Sequence, residues 1–222
     1  MDLRRGEAGG LYYLELAPEG ARRDLPLVVG MHGRGAAAED LGGVCAQLDD
    51  QHYRYVLFYA PRVLYMGDGI RYAWFDSAII DETLPTARRL VLAALHELWE
   101  RYRVRPQQTV LAGFSQGCVM TYDAGFHLEP QESLAGLVCM SGRLYKADDL
   151  DQALAKHRDQ AVLIVHGVND PMVAIQDATT ARKVLERAGL RPEYHEFPMG
   201  HEVTPDSLGV VRDFVHRVLP VS

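Results

Sequence analysis

The stretch Thr109-Val110-Leu111-Ala112-Gly113-Phe114-Ser115-Gln116-Gly117 decides how this chain is read. Thr109 to Ala112 is a short apolar run, and the residues after Gly117, from Cys118 to His127, pattern as a helix. A serine between glycines, at the junction of a strand and a helix, sits on a sharp turn that lifts its hydroxyl off the sheet. The glycines let neighbouring backbone pass where a Cβ would clash. On its own the pattern also fits a Gly-rich turn with no chemistry, so the rest of the chain must supply partners for Ser115.

Upstream of this turn, Leu11 to Leu16 reads as a strand and Leu27-Val28-Val29-Gly30-Met31 as a strand buried on both faces. His32-Gly33-Arg34-Gly35 follows, and then a helix from about Glu39 to Gln51. A Gly-bearing loop after a buried strand can aim backbone N–H groups at a ligand. In hydrolases of this layout such a loop gives one oxyanion donor and the residue after the nucleophile gives the other. The amides of Arg34 and Gln116 are therefore the expected oxyanion hole. His32 reads as a brace for the loop. The Arg34 side chain reads as a solvated rim charge, or as a contact for an anionic substrate group.

Tyr55 to Tyr59 is another strand, and residues 60–81 form a long connection rich in aromatics. Long loops inside compact domains are often functional. Tyr65, Trp74 and Phe75 are accordingly expected to wall the substrate site, with Met172 joining them from a later loop. Thr83 to Arg103 has an apolar face at three- and four-residue steps, including Leu84, Val91, Leu95, Leu98 and Trp99, and reads as a scaffold helix.

Downstream, strands are expected at 135–140, 161–165 and 193–197, with helices at 173–188 and 206–219. Strands alternate with helices throughout, which predicts an α/β fold with a mainly parallel sheet, helices on both faces and no cap domain. Residues 1–222 read as one domain, with 1–10 a loose end.

A serine hydroxyl needs a base within reach, and the base needs an orienting carboxylate. Loops after successive strands offer Ser115, then Asp170, then His201. Loops at the carboxyl ends of parallel strands meet on one rim, and Ser, Asp, His is the order expected there. Among the alternatives, His195 falls within a strand, His166 before the Asp170 loop and His216 on the last helix. Asp177 falls inside a helix, away from the rim. Asp148 and Asp149 stand as the reserve acid.

Apolar residues make up 48% of the chain and charged residues 24%, with a net charge of −7. That balance argues against a nucleic-acid partner, and no apolar stretch is long enough to span a bilayer. No signal-peptide core opens the chain. Cys45, Cys118 and Cys139 show no metal-ligand spacing and read as free thiols in a reducing cytoplasm, so no metal is expected on them. A homodimer is left open.

His32-Gly33-Arg34-Gly35, Trp74-Phe75-Asp76, Gly113 to Gly117, Ser141-Gly142, His166-Gly167 with Asp170-Pro171, and Gly200-His201 together resemble the phospholipase/carboxylesterase family. The resemblance runs from about Leu27 to the C-terminus. It implies an α/β-hydrolase fold, no cofactor, and cleavage of small-molecule carboxylic esters or thioesters, lysophospholipids among them. It also implies Ser115 as nucleophile, His201 as base, Asp170 as orienter, and the Arg34 and Gln116 amides as oxyanion donors. Arg34 stands where the eukaryotic thioesterases usually carry an apolar residue, and this loop looks more like the bacterial branch. A peptidase, a lactone hydrolase and a catalytically silent binding protein are the rival readings.

Overall fold

The computed structural model describes residues 1–67, 69–146 and 151–220. Its first element corrects the sequence reading. Residues 1–10 are not loose: Asp2–Ala8 is a strand (β1) that pairs antiparallel along its whole length with Leu11–Ala17 (β2). β1 is an edge strand whose residues up to Arg5 are all exposed, so no apolar alternation advertises it.

The apolar runs form the interior of the sheet. Leu27–Met31 (β3), Arg54–Phe58 (β4) and Gly136–Met140 (β8, counting a hairpin described below and the strand before Ser115, β7, Thr109–Phe114) are buried at every position. Val162–Gly167 (β9) is buried likewise, and Glu193–Phe197 (β10) closes the far edge. The strand order is β1-β2-β4-β3-β7-β8-β9-β10. β1 and β2 run antiparallel, and every pairing from β4 to β10 is parallel. The carboxyl ends of β3, β7, β8 and β9 therefore open onto one rim.

Helices cover both faces. α1 (Glu39–Leu48) shares one core with α6 (Pro205–Val218), through Cys45, Leu48, Leu208, Val211 and Phe214. The opposite core belongs to α2 (Ile80–Tyr102), α3 (Gln116–Phe126) and α5 (Ile175–Arg187), with the short α4 (Asp151–Lys156) beside them. α2 starts three residues earlier than its periodicity predicts and carries Pro85 inside. It stops at Tyr102 because Arg103 turns left-handed (φ 55°), ahead of Pro106. No helix among the described residues is long and apolar enough to cross a membrane.

Residues 60–81 are not an irregular loop. Arg62–Met66 (β5) and Gly69–Ala73 (β6) form an antiparallel hairpin outside the main sheet. Glu15 on β2 and Arg54 on β4 form a buried ion pair at the opposite end of the sheet from the rim. The Arg54 guanidinium lies 4.3 Å from the centre of the Tyr102 ring, and the Tyr102 hydroxyl donates to Glu15 Oε2 at 2.8 Å.

Candidate active site

Ser115 is the single residue between β7 and α3. Its backbone sits at φ 57° and ψ −115°, a region that side-chain-bearing residues rarely adopt. The surrounding bonds hold it there. Ser115 N–H donates to Met140 O at 3.0 Å, and its own carbonyl accepts from Cys118 N at 3.0 Å. The glycines are a steric requirement. A Cβ on Gly117 would lie 2.0 Å from Met31 O, and one on Gly113 would lie 2.0 Å from Gly117 O. The helix thus starts directly against the backbone of β3.

Asp170 follows the end of β9, and its side chain is fully buried. Oδ1 accepts from the N–H groups of Met172 (2.8 Å) and Val173 (2.9 Å). Oδ2 lies 2.7 Å from His201 Nδ1. Burial pushes the carboxyl up, but the hydrogen bonds from Val173, His201 and Met172 outweigh it and hold Asp170 below its ordinary range. With Nδ1 engaged, the other ring nitrogen of His201 is left for work elsewhere. The His201 ring packs against Phe114, 4.8 Å between centres, which brings it beside the turn carrying Ser115. Ser115 Oγ itself has no hydrogen-bond partner among the described residues. His166 is buried and donates from Nε2 to Val173 O at 2.9 Å, bracing the acid loop from behind.

The Arg34 loop is fixed from outside. Gly35 N–H donates to Tyr72 O at 2.8 Å, and Tyr72 N–H donates to Ala36 O at 3.1 Å, so the loop is stitched to β6. Neither the Arg34 nor the Gln116 N–H has an acceptor among the described residues. His32 braces the loop: Nδ1 donates to Gly33 O at 2.7 Å, and Nε2 accepts from Ala60 N at 3.2 Å. Burial lowers the His32 pKa, which suits a neutral ring that accepts at Nε2.

The sequence reading gave Gln116 a backbone task alone. Its buried side chain has another: Oε1 accepts from Trp74 N at 3.0 Å and Nε2 donates to Phe75 O at 3.0 Å. The aromatic segment is thereby clamped to the start of α3.

Ser115, Gln116, Arg34 and His201 line one cavity of about 420 Å³, together with Phe75 and Met172. Two expected wall residues are elsewhere. Trp74 is wholly buried, with Nε1 donating to His32 O at 2.8 Å, so it supports the loop from beneath. Tyr65 is 86% exposed on β5, because the hairpin carries it away from the cavity. Asp177 was expected away from the rim, yet the first turn of α5 brings it to the cavity wall. Gly142, quoted in the sequence only as part of the family resemblance, also lines it, as do Ser77, Val119, Arg143 and Val173, which the sequence reading gave no role. Arg143 and Val173 sit a few residues beyond the ends of β8 and β9, the one signal that could have found them.

His195 pairs with Glu193 and His216 with Asp49, both off this cavity. Asp148 and Asp149 lie outside the described residues. A larger cavity of about 760 Å³ lies among Tyr12, Tyr59, Val63 and Ile70, but Ser115, Asp170 and His201 are not part of it. Cys45, Cys118 and Cys139 are buried and unpaired.

The model of the phospholipase/carboxylesterase family matches residues 17–219. Acyl-protein thioesterase 1 of Neurospora crassa is 25% identical over 221 residues, covering 89% of each chain. Its counterpart from Gibberella zeae is 30% identical over 119 residues, which is 52% of this chain and 50% of that one. Among solved structures, esterase PE8 superposes with a TM-score of 0.81 at 26% identity, over 99% of this chain and 100% of the other. Sheet order, serine turn and a match spanning nearly the whole sequence agree: the chain belongs to the phospholipase/carboxylesterase family of α/β hydrolases.

Proposed function

We propose that this chain hydrolyses carboxylic esters and thioesters of small molecules through an acyl-enzyme on Ser115. The observation that carries the reading is the 2.7 Å contact between buried Asp170 and His201, whose ring lines the same cavity as the strained serine turn. His201 Nε2 takes the hydroxyl proton as Ser115 Oγ attacks the acyl carbonyl. Asp170 holds the imidazole in the tautomer that accepts at Nε2 and stabilises the imidazolium that forms. The tetrahedral oxyanion is met by the N–H groups of Arg34 and Gln116, each worth about 3 kcal/mol in such sites. The imidazolium returns the proton to the leaving alcohol or thiol, which departs with the acyl C–O or C–S bond electrons. Water then repeats the sequence and frees the acid.

Every group in this scheme comes from one chain, so a second copy is not required. The three unpaired thiols support a reducing, cytoplasmic setting.

The test is labelling with a fluorophosphonate, paired with hydrolysis of p-nitrophenyl acetate and a matching thioester. Wild type is expected to label and turn over, and Ser115→Ala to do neither. Persistent labelling of Ser115→Ala would move the nucleophile to another residue. An amide or lactone cleaved much faster than either ester would replace the proposed substrate class. An unlabelled, inactive wild type would leave a binding protein.

A further inference from the structure

Two arginines line the cavity beside Ser115, and acyl transfer does not use the guanidinium of either. Arg34 lies on the loop after β3 and Arg143 on the segment after β8, and both reach the wall that holds Ser115 and His201. Among the described residues neither forms an ion pair. By contrast, Arg62 lies 3.2 Å from Asp76 and Arg88 lies 3.1 Å from Asp123. The Arg143 guanidinium is 5.8 Å from the centre of the Tyr145 ring, so its neighbour there is an aromatic face instead of a carboxylate. The acid on this wall is Asp177. On the wall itself two cations face one anion, with the Asp170 carboxylate fully buried behind His201 and hydrogen-bonded through both oxygens, in a chain whose net charge is −7.

A neutral ester gains no ionic attraction from these groups. A guanidinium is a planar fork of donors that matches a carboxylate in two parallel hydrogen bonds. A cleft lined by one sign of charge between low-dielectric walls also concentrates the field along its length. We propose that this cavity selects esters that carry a carboxylate, bound by Arg34 and Arg143 while Ser115 attacks the ester carbonyl. The proposal rests on the hydrolase reading above and narrows its substrate class.

The experiment compares two pairs of esters that differ only in charge. Mono-p-nitrophenyl adipate against its terminal carboxamide places the charge on the acyl side. 3-Acetoxybenzoate against 3-acetoxybenzamide places it on the leaving group. The quantity read is the ratio of kcat/KM within each pair, which cancels any general loss of activity in a variant. In wild type the ratio is expected to exceed one in at least one pair, and that pair identifies the side on which the carboxylate binds. Arg34→Gln combined with Arg143→Gln should lower that ratio roughly fivefold, the scale of partly solvated charge pairs. Lysine at both positions should retain only part of the preference, since the charge stays while the paired fork is lost, and Asp177→Asn should raise it. The wild-type ratio should also shrink as salt rises from about 0.01 M to 0.5 M, where screening shortens to a few ångström.

A ratio below one in both pairs, or one that the glutamine double variant leaves unchanged, overturns the proposal while leaving the hydrolase reading intact. Failure of wild type to turn over any of these esters, with no fluorophosphonate labelling, removes the hydrolase reading and the proposal with it.

Discussion

Asp170 and His201 stand 31 positions apart in the sequence, yet Oδ2 of one lies 2.7 Å from Nδ1 of the other. The remaining carboxylate oxygen is taken by two backbone N–H groups, so the anion is satisfied on both sides. Burial alone would raise this carboxyl, and the hydrogen bonds reverse the direction. A carboxyl held lower in the folded chain than in the unfolded one stabilises the fold above its unfolded value, and that contribution is lost as pH falls through the folded value. The stability gap between wild type and Asp170→Asn is therefore expected to be about 2 kcal/mol near pH 7, typical of hydrogen bonds to a charged group, and to close below about pH 4. Urea unfolding across that range measures it, and a gap that persists unchanged in acid contradicts the assignment.

The serine turn predicts a split between stability and turnover. At φ 57° an alanine keeps the strain of Ser115, whereas glycine relieves it. Ser115→Gly should be more stable than Ser115→Ala by roughly 1 kcal/mol, the relief of strain less the extra freedom of glycine in the unfolded chain. Both should lose activity by about four orders of magnitude or more. Paired denaturant titrations settle the order, and alanine as the more stable variant would mean the turn is unstrained.

Gln116→Ala leaves two buried backbone groups, Trp74 N–H and Phe75 C=O, without their partners. A cost of about 2–4 kcal/mol follows from two such losses. Activity should fall less than in Ser115→Ala, because the proposed oxyanion donor is the amide. A thermal melt together with kcat separates the two roles. An unchanged melt with abolished kcat would assign the side chain to the chemistry.

At the far end of the sheet, Arg54→Met strands a buried Glu15 carboxylate and is expected to cost about 3–5 kcal/mol. Adding Glu15→Leu should restore much of that loss, since an apolar pair can replace a buried ion pair at little net cost. A double variant less stable than Arg54→Met would show that the ion pair does more than satisfy its own charges.

The parts legible in the sequence were those with one strong physical cause. β3, β8 and β9 are apolar at nearly every position because both faces are covered. The serine turn is legible because Gly113 and Gly117 leave no room for a side chain. What escaped notice had weak or divided causes. β1 is held by ladder bonds along an exposed edge, so its composition resembles a tail. The β5–β6 hairpin turns at Gly67 (φ 56°) and exposes Tyr65, Met66 and Ile70, so aromatic content misled where turn chemistry would have served better. Trp74 and Phe75 are adjacent and both pack into the core, yet only Phe75 reaches the cavity wall, a difference that a loop reading conceals. Asp177 reached the cavity because α5 begins on the rim at Ile175, just past the Asp170 loop, a matter of helix placement that periodicity does not report.

β1 leaves one flank of its backbone unpaired along its full length, at the margin of an eight-stranded array. Such a margin is a template on which a second molecule could extend the ladder. Asp2, Arg4, Arg5 and Glu7 crowd that border with solvated charge, and any incoming strand would have to strip water from them. The same residues that disguise this segment as a tail are what keep the sheet finite.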